Sequence, residues 1–205
     1  MTITIFGDPA SPFSLILIYV LKELGLSFEN VPTTYEEIKT PEYLATKHPF
    51  GKLPFLNDNG FQIYETRAIA RYLIKKYQGT KTSTVLIPSD VQKAALVEQF
   101  ISISYYFPPL FKLLTQLIAV RRQGNEPDLK IVEEAREELG KTLDVYEKLL
   151  EADLLHVPLT FYAINSTDEG GLWNKRPNVS RWLKNLNERE CWKNIVTEYK
   201  LSEHI

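Results

Sequence analysis

The start of the chain alternates short apolar runs with one long apolar helix pattern. Residues 2–6, TITIF, form a β-rich run, and residues 28–31 form a second one. Between them Ser11 is followed by Pro12, a typical helix start, and residues 15–21 are apolar without interruption. The pattern predicts a β-α-β unit whose helix is buried on nearly every side.

Residues 49–73, PFGKLPFLNDNGFQIYETRAIARYL, predict a hairpin followed by a helix. The Asn-Gly pair at 59–60 lies between two apolar runs, which is the strongest short-range hairpin signal. Pro54 stands where the first strand begins, and proline is tolerated there only at a sheet edge or an isomerised turn. We therefore expect a cis Leu53-Pro54 bond. From Glu65 onward, apolar residues recur at helical spacing.

The join between hairpin and helix offers three kinds of recognition. The backbone of Leu53 can pair with a peptide-like ligand as a strand does. The first turn of the helix at Thr66 offers unpaired N–H groups and a hydroxyl, which suit a carboxylate, and Glu65 suits an ammonium group. A small peptide with a free amine and a free carboxylate at one end matches all three. An ordinary hairpin and a capped helix would give the same pattern.

The remaining N-terminal segments complete a mixed α/β domain. Residues 33–48 are polar and irregular, with a short helix predicted over 41–47. The order of elements over residues 1–77 is then β-α-β-α-β-β-α, a thioredoxin-like arrangement of a mixed sheet with helices on both faces. Residues 78–88 are rich in turn formers and predict a linker.

Only helices are predicted after the linker, so residues 89–205 form a second, all-α helical-bundle domain. Residues 89–92, SDVQ, match a capping box at the start of a long helix, which a Pro-Pro pair should kink or break. The next helix ends at about Leu150 and has a solvated acidic face. Its apolar residues at helical spacing are Leu129, Val132, Leu139, Leu143, Tyr146 and Leu150. Two last helices begin near Pro177 and Trp192.

Composition and charge limit the classes of partner that are expected. The 205 residues carry a net charge of -2, and the sequence pI is about 6.0. These values give no electrostatic reason to expect nucleic acid or an anionic membrane surface, and no apolar run approaches the roughly 20 residues that span a bilayer. Cys191 is the single cysteine, so we expect no intrachain disulfide and a reducing, cytoplasmic setting. The histidines have no metal-ligand spacing, and no metal is expected.

The motif PFGKLP followed by ETRAIARYL resembles the glutathione transferases, most of all the phi-like class of fungi and plants, in which the second motif is usually ESRAI. The N-terminal third carries the resemblance, which extends more weakly over most of the remainder. It implies the two-domain glutathione transferase fold, glutathione as co-substrate and a homodimer. It also implies conjugation of glutathione to small hydrophobic electrophiles, as in detoxification.

The resemblance also implies roles for individual residues. Ser11, in a GDPAS loop like that of the phi-like class, donates a hydrogen bond to the glutathione thiolate, and Ser14 is the alternative donor. The other implied contacts with glutathione are those of Lys39, Lys52, Leu53, Pro54, Glu65 and Thr66. Threonine replaces the usual serine at the last of these positions. Ile38 stands where the family often has histidine, and we expect a reduced affinity for glutathione from this change.

Glutathione transfer needs a thiolate, because the neutral thiol is a poor nucleophile. Lowering the pKa of a thiol from about 8.5 by about two units means stabilising the anion by roughly 2.7 kcal/mol. One charge-assisted hydrogen bond contributes roughly 1.5 to 3 kcal/mol, and a helix N-terminus adds about 0.3 to 1 kcal/mol. The hydroxyl of Ser11 is therefore nearly sufficient, and it can donate to the sulfur while a lone pair caps the helix.

After Leu150 the chain departs from the family pattern. Related transferases have a loop here, then a serine or threonine that caps a buried helix with an aspartate three residues later. Asp153 matches that aspartate, but no hydroxyl cap precedes it and a stretch of family residues is missing. We expect the C-terminal domain to be the less stable one, because losing such a cap costs about 1 kcal/mol. Either two helices fuse, or a partner chain fills the gap.

Two functions remain open from the sequence. The first is a transferase whose electrophile binds an apolar wall between the domains. The aromatic candidates for this wall are Phe13, Tyr105, Tyr106, Phe107 and Phe111, although core packing would explain any one of them. The second is a non-catalytic ligand-binding or regulatory protein of the same fold, which the missing segment favours. Glutathione-dependent disulfide reduction is disfavoured, because the loop at Ser11 has no cysteine.

Overall fold

The chain divides into two units. The computed structural model describes residues 2–9, 11–102, 105–149 and 157–204. One unit runs up to Val97 and takes in Glu190–His204, and the other is Glu98–Arg189. The last helix thus belongs to the N-terminal unit, whereas the sequence predicts it in a domain that begins at residue 89.

The N-terminal unit is built on a four-stranded mixed sheet. Its elements are β1 (Ile3–Phe6), α1 (Pro12–Glu23), β2 (Phe28–Val31), α2 (Pro41–Thr46), β3 (Phe55–Asp58), β4 (Phe61–Tyr64) and α3 (Thr66–Tyr77). The strand order is β2-β1-β3-β4, in which β1 pairs parallel with β2 and antiparallel with β3, and β3 pairs antiparallel with β4. The predicted thioredoxin-like order of elements is confirmed.

Helix α1 is the buried helix of this unit. All side chains at positions 14–21 are buried, as the uninterrupted apolar run predicts. The helix packs against α3 and against α10 (Glu190–Glu198). The rings of Tyr19 and Trp192 lie 5.3 Å apart, and this contact fixes the last helix to the N-terminal unit. Gly25 follows the helix with a φ of 67°, a conformation that favours glycine.

Strands β3 and β4 form the predicted hairpin. Asn59 and Gly60 both have positive φ, 52° and 94°, as a type I′ turn requires. The side-chain oxygen of Asn57 accepts a hydrogen bond from the N–H of Gly60 at 2.8 Å. β4 is an edge strand and most of its side chains are exposed.

The predicted linker, residues 78–88, contains neither helix nor strand. The side-chain oxygen of Gln78 accepts hydrogen bonds from the N–H groups of Leu86 and Ile87 at 2.6 and 2.9 Å. Its amide nitrogen donates to the C=O of Ile87 at 2.7 Å. One glutamine at the end of α3 therefore fixes the linker in place.

Helix α4 (Val91–Ser102) begins one residue later than the predicted capping box implies. The carboxylate of Asp90 accepts a hydrogen bond from the N–H of Lys93 at 2.9 Å, so Asp90 rather than Ser89 caps the helix. Both residue types are good caps, and a carboxylate also interacts favourably with the positive end of the helix dipole.

The second unit is helical. Its further elements are α5 (Phe107–Leu114), a π-helical segment (Thr115–Val120), α6 (Leu129–Leu149), α7 (Val157–Ser166), α8 (Gly171–Asn174) and α9 (Pro177–Asn187). The Pro-Pro pair lies in the first turn of α5, where a missing N–H costs nothing, so the predicted break is confirmed as a helix start. In the described part of the chain, no helix is both long and apolar enough to cross a membrane.

Helix α6 buries most of the predicted apolar face. The buried side chains are Val132, Leu139, Leu143 and Tyr146. Leu129 is 76% exposed, contrary to the prediction, because it lies in the first turn beside the cap. The carboxylate of Asp128 caps this turn and accepts the N–H of Lys130 at 2.9 Å. Leu150 and Asp153, where the chain departs from the family pattern, lie outside the described residues.

Candidate functional site

The sheet register brings three predicted site segments to one corner. Phe6 at the end of β1 lies opposite Phe55 at the start of β3, which lies opposite Tyr64 at the end of β4. A Cβ placed on Gly7 would lie 3.5 Å from the Cβ of Pro54. The loop after β1, the turn before β3 and the turn after β4 therefore meet. These segments carry the predicted residues Ser11, Leu53, Pro54, Glu65 and Thr66.

The peptide bond between Leu53 and Pro54 is cis, as predicted. Leu53 is half-buried, and its backbone N–H and C=O make no hydrogen bond with a described residue. Backbone groups that are unpaired and partly exposed beside a strand can pair with an extended peptide.

Glu65 precedes α3 in a conformation that L-amino acids rarely adopt, with φ of 73° and ψ of 110°. Such strain costs about 1 to 3 kcal/mol and clusters at functional sites. The Glu65 side chain is exposed and does not cap α3, which has no acidic residue in its first turn. The hydroxyl of Thr66, the first residue of α3, has no hydrogen-bond partner within the described chain. The start of α3 therefore retains donors for a carboxylate.

Ser11 takes the N-cap position of α1, but its hydroxyl makes no capping bond, contrary to the expectation. The hydroxyl makes no other hydrogen bond to the residues that the structure describes, and the side chain is half-buried. Ser14, the alternative donor, is completely buried, and its Oγ atom lies where a Cβ on Gly7 would approach to 2.5 Å. Exposure therefore favours Ser11 as the group that meets a ligand.

The two predicted lysines lie beside the turn before β3. The Nζ atom of Lys39 donates to the C=O of Gly51 at 3.3 Å and lies 5.0 Å from the ring centroid of Tyr35. Lys52 is exposed, and its C=O accepts a hydrogen bond from the hydroxyl of Tyr43 at 2.9 Å. Burial raises the pKa of Tyr43 to about 12, so this hydroxyl stays a neutral donor. Two ammonium groups are thus available near the backbone of the turn.

His48, to which the sequence assigns no role, lies buried next to this turn. Its ring centroid is 4.5 Å from that of Tyr64 at the end of β4. Burial lowers the pKa of His48, the Glu65 carboxylate acts in the opposite direction, and the Lys52 ammonium adds to the lowering. The signal available in the sequence was its position directly before the PFGKLP motif.

Tyr106, one of the five aromatic candidates for an electrophile wall, is instead a core residue of the helical unit. It is 0% exposed, and its hydroxyl hydrogen-bonds with the hydroxyl of Thr160. The same oxygen accepts the Nε1–H of Trp173 at 3.1 Å. Burial raises the pKa of Tyr106. Its neighbour Tyr105 is 77% exposed, and Phe111 is 55% exposed.

The helical unit also contains a polar cavity of about 380 Å³. It is lined by Leu117, Arg121, Arg136, Asn165, Ser166, Thr167, Asp168 and Glu169. Arg136 forms a forked pair with Glu169, with its Nε atom 3.0 and 2.9 Å from the two carboxylate oxygens. Within the described ranges, no three His, Cys, Asp or Glu side chains are grouped to hold a metal ion.

Comparison with known sequences identifies one family. The family model for the glutathione S-transferase N-terminal domain matches residues 5–81. Glutathione S-transferase F10 of Arabidopsis thaliana is 34% identical, over 98% of this chain and 99% of the relative. That alignment spans 217 positions against the 205 residues of this chain, so the relative has residues that this chain lacks.

Solved structures agree with the sequence comparison. Glutathione transferase F2 from Populus trichocarpa superposes with a TM-score of 0.90 at 29% identity, over 97% of this chain and 99% of that one. Glutathione S-transferase I from mais, solved in complex with an atrazine glutathione conjugate, gives a TM-score of 0.84 at 26% identity, over 98% of both chains. Both similarities cover nearly the whole chain.

Proposed function

This chain belongs to the glutathione S-transferase family, and we propose that it is a phi-like transferase that conjugates glutathione to small hydrophobic electrophiles. One observation carries the proposal: the uncapped start of α3, with the Thr66 hydroxyl and the exposed Glu65 carboxylate side by side. A ligand that satisfies both carries a carboxylate and an ammonium group on the same carbon atom, as the γ-glutamyl group of glutathione does.

The rest of glutathione matches the remaining groups at the corner. The carboxylate of the γ-glutamyl group accepts hydrogen bonds from Thr66 and the first turn of α3, and its ammonium group pairs with Glu65. The central peptide pairs with the open backbone of Leu53 before Pro54. The glycine carboxylate of glutathione lies toward the ammonium groups of Lys39 and Lys52.

Ser11 is the residue that we assign to stabilise the glutathione thiolate. Its hydroxyl is half-buried at the start of α1 and has no partner among the described residues, so the O–H can donate to sulfur without breaking a bond. The donated hydrogen bond and the helix N-terminus together supply roughly the 2.7 kcal/mol that lowers the pKa of a thiol by two units. A thiolate is then present at neutral pH and attacks the electrophile.

The second substrate and the setting complete the proposal. The electrophile is small and apolar, and the proposed aromatic contacts are the exposed candidates Tyr105 and Phe111. Detoxification of such compounds is the proposed physiological role, in the reducing cytoplasm that the single Cys191 fits. We further propose a homodimer, supported by the exposed aromatic residues Phe50 and Phe61 of the N-terminal unit.

Turnover tests the proposal directly. Conjugation of glutathione to a dinitrophenyl chloride is followed for the wild type, for Ser11→Ala and for Ser27→Ala, a control at an exposed serine outside the corner. We expect Ser11→Ala to lower kcat/KM about 10- to 100-fold, because one charge-assisted hydrogen bond is lost. The apparent pKa in the pH profile of kcat/KM should rise as well. Ser27→Ala should match the wild type. Absence of turnover in the wild type would contradict the proposed transferase activity.

A second function keeps the glutathione site but not the catalysis. The observation in its favour is the length of the aligned relative, which has residues that this chain lacks. A non-catalytic ligand-binding or regulatory protein of this family would be retained on immobilised glutathione, would elute with free glutathione, and would show no conjugation with a panel of electrophiles.

A further inference from the structure

His48 connects two segments at the corner of the sheet. Its Nδ1 atom accepts a hydrogen bond from the backbone N–H of Phe50 at 3.2 Å, and its C=O accepts one from the N–H of Gly51 at 2.9 Å. Its ring lies against the ring of Tyr64, with centroids 4.5 Å apart. Because the residue is only 2% exposed, water does not compete with these contacts.

Both segments lead into residues that the proposed function assigns to glutathione. The turn held by His48 continues into Lys52 and Leu53, and Tyr64 continues into Glu65. A side chain that holds the turn and rests on the end of β4 sets the spacing between the backbone that pairs with the peptide and the carboxylate that binds the ammonium group. Such spacing is what a ligand with two fixed ends requires.

We infer that His48 is a positioning residue of the glutathione site and that its protonation weakens glutathione binding. The inference rests on the proposed function, since it concerns the same site. A nitrogen that accepts a hydrogen bond carries no proton, so the neutral ring has its proton on Nε2. A proton added to Nδ1 would place two N–H groups face to face, and the turn at Phe50 would lose its anchor.

The groups around His48 set the pH range of this effect. Lys52 acts on it from the same loop and Glu65 from the turn after β4. The ring of Tyr64 in β4 lies against it, and the backbone C=O of Tyr43 in α2 accepts its backbone N–H at 3.1 Å. Burial lowers the pKa of His48 and the Lys52 ammonium adds to the lowering. Together they outweigh the Glu65 carboxylate and a hydrogen bond to the backbone of His48 itself, which both act in the opposite direction. Tyr43 stays neutral, because burial raises its pKa to about 12. His48 is therefore neutral at pH 7 and becomes protonated below the ordinary histidine value of 6.5.

Binding of S-methylglutathione tests this role, because that ligand has a thioether in place of the ionisable thiol, so the ionisation of sulfur beside Ser11 does not contribute to its binding. Its Kd is measured by calorimetry from about pH 7.5 to about pH 5, where histidine titrates. We compare the wild type with His48→Asn, whose side-chain oxygen can still accept from Phe50, and with His48→Leu, which has no acceptor.

We expect the wild-type affinity to fall about three- to tenfold over this range, the equivalent of one lost hydrogen bond. His48→Asn should bind like the wild type at the upper pH and lose most of the pH dependence. His48→Leu should bind three- to tenfold more weakly throughout. In the control His156→Asn/His204→Asn, the wild-type pH dependence should persist, because His48 is the one histidine that this double variant retains.

Each alternative result has one meaning. A wild-type affinity that does not change with pH, or a His48→Asn variant that keeps the full pH dependence, would overturn the role of His48 while leaving the glutathione site intact. Failure of the wild type to bind S-methylglutathione at any pH would overturn the proposed function, and the role of His48 with it.

Discussion

The Nζ atom of Lys76 in α3 lies 2.6 Å from the Oδ2 atom of Asp58, a buried carboxylate at the end of β3. The same carboxylate accepts hydrogen bonds from the hydroxyls of Tyr72 at 2.6 Å and Tyr77 at 2.8 Å. The side-chain amide of Asn59 donates to it at 2.7 Å. One buried acid therefore ties the hairpin to the C-terminal half of α3, away from the start of that helix, where the ligand is proposed.

Removal of this charge should destabilise the protein. Asp58→Asn is expected to lower the free energy of unfolding by about 2 kcal/mol, because an amide accepts less strongly and its NH₂ group opposes the neighbouring ammonium. Urea unfolding followed by circular dichroism measures the change. Glu137→Gln is the control: Glu137 bonds Lys141 at 2.9 Å on the exposed face of α6, and a much smaller effect is expected there. Equal effects of the two substitutions would contradict the prediction.

The Asp58 cluster should also give an acid-dependent term in stability. Burial alone would raise the pKa of Asp58, but the hydrogen bonds from Lys76, Tyr72, Tyr77 and Asn59 outweigh it and hold the pKa at about 2, below the ordinary 3.8. Since the unfolded chain binds the proton at higher pH, the stabilisation is complete above about pH 4 and is lost as the pH falls toward 2, for a total of about 2 kcal/mol.

Urea midpoints at a series of pH values from 2 to 6 check this prediction. The wild type should lose more stability on acidification than Asp58→Asn, which lacks the titrating group, and the two curves should converge near the acid end. Parallel curves over the whole range would show that the carboxylate is not responsible.

Local chemistry explains which parts of the site the sequence predicted. The hairpin follows from Asn59 and Gly60, which accept positive φ, and the cis bond from the place of Pro54 at a strand start. The start of α3 at Thr66 follows from a change of period. Each signal lies within a few residues of the structure that it specifies. The family resemblance then added Ser11, which no local pattern connects with the hairpin.

The features that the sequence missed depend on contacts between distant residues. Apart from the adjacent Asn59, the partners of Asp58 come from the next helix, and nothing near it in the chain indicates that it is buried. Helix α7 was not predicted because residues 157–166 are apolar with little contrast between faces, so no period stands out. Tyr106 is a candidate for ligand contact from the sequence alone, because its hydrogen-bond partners Thr160 and Trp173 lie 54 and 67 residues away in the chain.

The contrast between neighbouring tyrosines gives the next prediction. Tyr106→Phe removes the acceptor of the Trp173 Nε1–H and the partner of the Thr160 hydroxyl in the buried core, and we expect a loss of about 1 to 3 kcal/mol in the free energy of unfolding. Tyr105→Phe changes a residue that is 77% exposed and should alter stability by no more than about 0.5 kcal/mol. Thermal and urea unfolding of both variants measure these changes. A Tyr106→Phe variant as stable as the wild type would show that these hydrogen bonds do not stabilise the core.

The proposed homodimer predicts a mass of twice 23.7 kDa in sedimentation velocity. Phe50 is 68% exposed in the turn beside the edge strand, and burying such a side chain is a strong driving force for association. Phe50→Ser should therefore shift the protein toward the monomer at micromolar concentration. Val85→Ser, at a 65% exposed linker position, should remain dimeric. A monomeric wild type, or a Phe50→Ser variant that associates as strongly, would contradict the proposal.

The start of α3 gives the most direct test of how glutathione is held. Thr66→Val removes the hydroxyl and keeps the branched shape, so the ligand carboxylate loses one donor while the backbone N–H groups remain. A hydrogen bond to a charged group contributes roughly 1.5 to 3 kcal/mol, so KM for glutathione should rise at least about tenfold. Thr66→Ser restores the hydroxyl and should stay within about twofold of the wild type. At saturating glutathione kcat should change little in either variant, because the group that meets the sulfur is Ser11. If KM stayed constant while kcat fell, the threonine would act on the thiolate and the orientation proposed for glutathione would have to be reversed.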